Sequence, residues 1–246
     1  MVNGKGIKAE LILTAKETAD RLSRKTPLAF KPLSGPDELT PVVVVDPQKT
    51  FQTIEGIGGA LTDSAAETYA KLPPERQKEV LTAYFDDEKG IGYSFCRTNI
   101  HSCDFSGDVY SYDDEAGDTE LKSFSIAHDR TYRIPFIKAA LATAKTPFKL
   151  FASPWSPPAW MKTNGNMLRG GRLKPEFTET WARYYGGFVK AYEREGISIW
   201  ACRCRTSRWP RSPGSPASTP ARKSAISCAT TWARLWSGTG CPGSSS

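Results

Sequence analysis

Three groups of polar and aromatic residues interrupt the apolar runs of this chain: Thr62-Asp63, the stretch from Arg97 to Asp104, and Trp155 with Trp160. An indole face stacks on the C–H face of a pyranose ring. Carboxylate and guanidinium groups bond the hydroxyls around that ring. A tryptophan, an arginine and an aspartate facing one opening therefore suit a sugar. Each residue also has a plain structural reading. Trp155 and Trp160 can be rim packing, and Arg97 and Asp104 can be an ion pair. Asp63 can be the N-cap of a helix formed by SAAETYA. What favours a site is their joint placement at the ends of consecutive strand-like runs.

The elements that must position these residues can be read from periodicity. Residues 1–50 hold two short strand-like runs, AELILTA and PVVVVD, separated by Pro, Gly and charge. From Phe51 strand and helix alternate. QTIEGIGGALTD reads as a strand ending in a glycine turn, YSFCRTNIH as the next, FKLFASPWS as a third, and ISIWA as the start of a fourth. Between them, PPERQKEVLTAYF, RIPFIKAALATA and TETWARYYGGFVKAYEREG carry apolar residues at helical spacing; Gly196 closes the last. This alternation predicts an α/β fold with a parallel sheet covered by helices. GIGGA lacks the spacing of a dinucleotide loop. In a (β/α) barrel the chemistry sits at the C-terminal strand ends, which is where the three groups fall.

Composition changes abruptly after Ala201. Residues 202–246 contain no Asp, Glu, Asn, Gln, Val, Phe or Tyr. They hold seven of the 33 bases and none of the 26 acids, which leaves 26 bases against 26 acids in residues 1–201. The net charge of +7 thus belongs wholly to the tail and does not point the folded part toward nucleic acid. Cys96 and Cys103 lie before this boundary, and Cys202, Cys204, Cys228 and Cys241 beyond it. The tail has no His to complete a zinc site, so the cysteines read as incidental, and neither metal nor cofactor is expected. The N-terminus, MVNGKGIKAELILTAKE, shows no long apolar run and no cleavage-site pattern. No secretory signal or membrane span is expected, and a cytoplasmic location is the default.

Longer strings carry a resemblance. GIGGALTDSAA, RTNIHSCDFS, ELKSFSI and SPWSPPAWMKTNG resemble the glucosylceramidase and β-1,6-glucanase branch of glycoside hydrolase family 30, and YEREGISIW resembles the segment leading into that family's acid/base glutamate. The resemblance covers roughly residues 40–201. It implies a (β/α)8 TIM barrel, with a β-sandwich built from both chain ends, acting on β-glycosides. By the same resemblance, Asp104 matches a hydroxyl-binding aspartate, Trp155 a sugar-stacking tryptophan, and Arg97 an arginine that supports the catalytic carboxylates. The expected domains are 1–50, N-terminal strands of the sandwich; 51–201, the first four strands of an incomplete barrel; and 202–246, an out-of-frame tail whose lack of apolar periodicity predicts disorder. The mechanism would be retaining, with one Glu as acid/base and another as nucleophile about 5 Å away.

The family's Asn-Glu-Pro motif is expected just past the fourth strand, but the chain reads CRCRTSRWPR after Ala201. Arg203 to Pro210 can be encoded CGG TGC AGA ACG AGC CGA TGG CC. Regrouped from the last base of the first codon, this reads Val-Gln-Asn-Glu-Pro-Met-Ala. PGSPAST similarly regroups to TWESCIY, and TPARKSAISCATTWA to YTGEEERDFLRDYLG, which has a capping Thr, early acids and helical apolar spacing. One base lost after the Ala201 codon accounts for all of this. The expectation is a glycosidase fragment without either catalytic Glu, and therefore inactive. The rival expectation is a non-catalytic carbohydrate-binding protein, or one whose basic tail binds nucleic acid.

Overall fold

A computed structural model of the chain describes residues 8–29, 46 and 48–203. These fall into two compact units, one up to Gln52 and one from Thr53 onward. In the first unit, β1 (Lys8–Ala9) pairs antiparallel with β4 (Leu28–Ala29), and β2 (Ile12–Leu13) pairs antiparallel with β3 (Ser23–Arg24). AELILTA is thus two short strands with different partners rather than one long strand. PVVVVD up to Val45, and the tail beyond Arg203 for which disorder is expected, lie outside the described residues.

The second unit is built on a parallel sheet in the order β5 (Phe95–Ile100), β6 (Lys149–Pro154), β7 (Ala201–Cys202). β5 and β6 are in register from Phe95↔Lys149 to Ile100↔Pro154, and Phe151 pairs with Ala201. Side chains alternate along each strand. Cys96, Thr98, Ile100, Leu150 and Ala152 are buried in or beside the helix-covered core, while Phe95, Arg97 and Phe151 on the other face are half-buried. The described strands form an open sheet and do not close into a barrel.

The run 52–63 is a correction to the sequence reading. It contributes no regular strand, only a parallel bridge from Ala60 to Arg97 on an extended segment. The glycines explain this. A Cβ at Gly58 would lie 2.1 Å from the Phe95 carbonyl oxygen, so only glycine lets the backbone come so near β5. Glycine in turn weakens strand regularity. The pairing still holds: the Arg97 amide donates to the Gly59 carbonyl (3.0 Å) and the Leu61 amide to the Arg97 carbonyl (2.7 Å).

Among the described residues five α-helices accompany this sheet: α1 (Asp63–Ala70), α2 (Pro74–Phe85), α3 (Ala127–Thr131), α4 (Arg133–Thr143) and α5 (Thr178–Arg194). α2 starts with Pro74 at its first turn, where the missing N–H is harmless. α5 buries a continuous face of Trp181, Tyr184, Tyr185, Phe188 and Tyr192. It ends at Gly196 with φ +77°, where the Gly196 amide donates to the Glu193 carbonyl and the Ile197 amide to that of Tyr192. That pair of bonds is a Schellman cap, which favours glycine. α3 had no sequence signal, being only 5 residues long.

Candidate functional site

The register brings the C-terminal ends of β5 and β6 abreast, so the segments starting at His101 and Trp155 leave the sheet side by side. Asp63 joins the same end of the sheet. Its carboxylate accepts from the Asn99 side-chain amide at 3.0 Å, and it is 97% buried at the first position of α1 (3% exposed). The N-cap of α1 is Thr62, whose hydroxyl accepts from the Ala65 amide at 3.1 Å; Asp63 is not the cap.

Arg97 reaches across to β6, where Nε donates to the Ser153 hydroxyl (3.0 Å) and Nη2 to the Ser153 carbonyl (3.4 Å). The guanidinium is thereby aimed along the open face of the sheet toward the strand ends. Trp155 is half-buried directly after β6. Trp160 fits the packing reading. Its Nε1 donates to the Asp113 carbonyl (3.0 Å) and its ring meets Phe177 edge-on at 4.9 Å. Asp104 is exposed, in a loop that leaves β5 and returns at Tyr110. The arrangement can offer hydrogen bonds and a stacking face to a polar ring. Among the described residues no glutamate stands at the C-terminal end of the parallel strands. Among the same residues, no three His, Cys, Asp or Glu side chains are grouped to hold a metal ion.

Behind this opening is a buried polar network that the sequence did not announce. The Asp129 carboxylate accepts from the hydroxyls of Tyr110 (3.1 Å), Tyr112 (2.6 Å) and Tyr192 (2.8 Å) and pairs with Arg133. Arg133 donates to the Tyr112 oxygen (2.7 Å) and to the His101 carbonyl (3.2 Å). His101 is fully buried and left-handed, with φ +50°. Such a backbone costs a non-glycine residue about 1–3 kcal/mol and persists only where neighbours enforce it. Its Nδ1 bonds the Tyr184 hydroxyl at 2.8 Å, and its ring stacks against Trp181. Burial, reinforced by the Arg133 charge, pulls its pKa down to about 3, so the ring is neutral near neutral pH. The one available hint was Arg133, a charge opening an otherwise mostly apolar helix.

Asp113 lies in the segment after that loop and is 1% exposed. Burial, with Asp118, Glu115 and Asp114 nearby, pushes its pKa up to about 6, although the Glu115 amide donates to it.

A family model described as the glycosyl hydrolase family 30 TIM-barrel domain matches residues 54–226. The lysosomal acid glucosylceramidase of Mus musculus is 41% identical over 165 residues, covering 65% of this chain and 32% of the mouse protein. An endo-1,6-beta-D-glucanase of Neurospora crassa is 30% identical over 160 residues, covering 62% of this chain and 33% of its own length. The crystal structure of SrfJ from Salmonella typhimurium superposes with a TM-score of 0.60 at 36% identity, covering 63% of this chain and 35% of that one. The chain thus spans about a third of the length of these relatives.

Proposed function

The chain belongs to glycosyl hydrolase family 30, and we propose on that premise that it derives from a retaining glycosidase of β-glucosides or glucosylceramide and is inactive in its printed reading frame. One observation carries this reading: no Asn-Glu-Pro follows Ala201, and codons permitted for Arg203 to Pro210 regroup in the neighbouring frame to Val-Gln-Asn-Glu-Pro-Met-Ala. The geometry of the sheet supports it. β7 runs parallel to β6 through Cys202, and the Arg203 amide still donates to the Ala152 carbonyl (2.8 Å). Continuing that ladder in the restored frame carries Asn-Glu a few residues past β7, to the end of the sheet where Trp155 emerges.

There the glutamate would protonate the glycosidic oxygen as the leaving group departs, and later activate water. A nucleophilic glutamate from a later strand would attack the anomeric carbon from about 5 Å. Asp104 would bond a sugar hydroxyl, Trp155 would stack on the ring, and Arg97 would support the carboxylates electrostatically. Without either glutamate these groups can bind but cannot move the proton, and general acid–base catalysis alone is typically worth ~10²–10⁴-fold.

The test is hydrolysis of an aryl β-glucoside by the purified 246-residue chain. The expected rate is that of the buffer blank. Turnover that disappears on Asp104→Ala substitution would overturn the proposal, because it would locate real activity in this chain.

A further inference from the structure

We propose that His101 is a positioning residue: its left-handed backbone, locked by Tyr184 from α5 and Arg133 from α4, sets the direction in which the chain leaves β5 and hence where Asp104 stands. The inference rests on reading Asp104 as a sugar-binding group.

Three elements converge on this one turn. The Tyr184 hydroxyl bonds His101 Nδ1 (2.8 Å) and accepts from the Tyr112 amide (2.7 Å), so one oxygen ties both the departing and the returning chain to α5. Arg133 Nη1 donates to the His101 carbonyl (3.2 Å), and the Asn99 side-chain amide donates to the same oxygen. Asn99 is itself held by Asp63 of α1 (3.0 Å). The loop between is then closed at its base. The Ser102 hydroxyl donates to the Tyr110 carbonyl (2.8 Å) and accepts from the Tyr110 amide (3.1 Å). Within it, the Ser106 amide donates to the Cys103 carbonyl (3.1 Å), which makes Asp104 and Phe105 the two central residues of a turn. Asp104 therefore has little freedom of its own; its place follows from the base of the loop. The left-handed turn at His101 is thus held by hydrogen bonds from α4, α5 and the Asn99–Asp63 pair together.

A merely structural His101 would be replaceable by anything that preserves the core. A positioning His101 must be replaced by a residue that keeps both the left-handed backbone and an acceptor for Tyr184. Asparagine tolerates that backbone and carries an amide oxygen. The first measurement is amide NMR of the 246-residue chain as it stands. His101→Ala and Tyr184→Phe should displace the Asp104 and Phe105 amide resonances well beyond linewidth, while His101→Asn leaves them near wild type. Unmoved resonances in the first two variants, or equal displacement by Asn and Ala, would overturn the proposal. Using both the His101 and the Tyr184 variants keeps the test decisive if one of them fails to fold.

The second measurement is in the frame-restored enzyme. Tyr184→Phe should lower kcat/KM about tenfold, and should have almost no further effect when Asp104 is already Ala, because coupled residues are non-additive. Full additivity would overturn the proposal. Full activity of Asp104→Ala alone would instead overturn the sugar-binding reading and leave the NMR result standing.

Discussion

Asp113 holds its proton against the ordinary behaviour of a carboxylate. Its pKa is raised to about 6 from an ordinary 3.8, chiefly by burial. A raised carboxyl favours the folded state in its protonated form. The contribution is fully present below about 3.8 and is lost as the pH rises through about 6. Asp113→Asn keeps the shape and removes the ionisation. It should therefore raise thermal stability relative to wild type at about pH 7 and give little or no gain at about pH 4. Melting curves at the two pH values check this; a gain of equal size at both would contradict it. At this scale the sequence exposed the residues that face outward. The strand pattern placed Arg97 on β5, Asp104 in the segment after it and Trp155 directly after β6, which is where they lie. His101 and Asp129 were not legible, because each bonds a partner distant in sequence, Tyr184 and Tyr192; the Asp129–Arg133 pair has i,i+4 spacing, but that spacing is common on exposed helix faces and does not signal burial.

Helices were the most readable elements. α2, α4 and α5 begin and end within a residue or two of the spans that periodicity, Pro74 and Gly196 predicted. The segment 52–63 was misread because hydrophobic alternation does not register how near two backbones lie, and Gly58 exists for that contact with β5. Immediately after it, α1 depends on one cap. Thr62 supplies the side-chain oxygen for the Ala65 amide, and its carbonyl accepts from Ala66 (3.0 Å). Thr62→Ala should cost about 1 kcal/mol, within the usual 0.5–2 kcal/mol range for such caps, whereas Thr62→Ser should cost much less. Denaturant titration of the two variants measures this. Equal losses would mean that the hydroxyl is not the stabilising group. Asp63→Ala is a different case, since it removes the acceptor for Asn99 rather than the cap.

The second unit is a parallel sheet covered by helices, with Trp155 directly after β6 and Asp104 in the loop that leaves β5. Its parent fold was legible because strand–helix alternation and the strings around Asp104 and Trp155 agree with each other. The family match runs on to residue 226, past the change in composition, and the proposed loss of one base after the Ala201 codon puts the Asn-Glu-Pro motif in the other frame. The most direct test is to insert one base after the Ala201 codon, express the gene through its downstream sequence, and follow hydrolysis of an aryl β-glucoside by NMR. The account predicts turnover with the β-anomer as first-formed product. Asp104→Ala should lower it roughly tenfold to a few hundredfold, the loss of a charged hydrogen bond worth ~1.5–3 kcal/mol. No turnover from the repaired gene, or first-formed α-anomer, would contradict it.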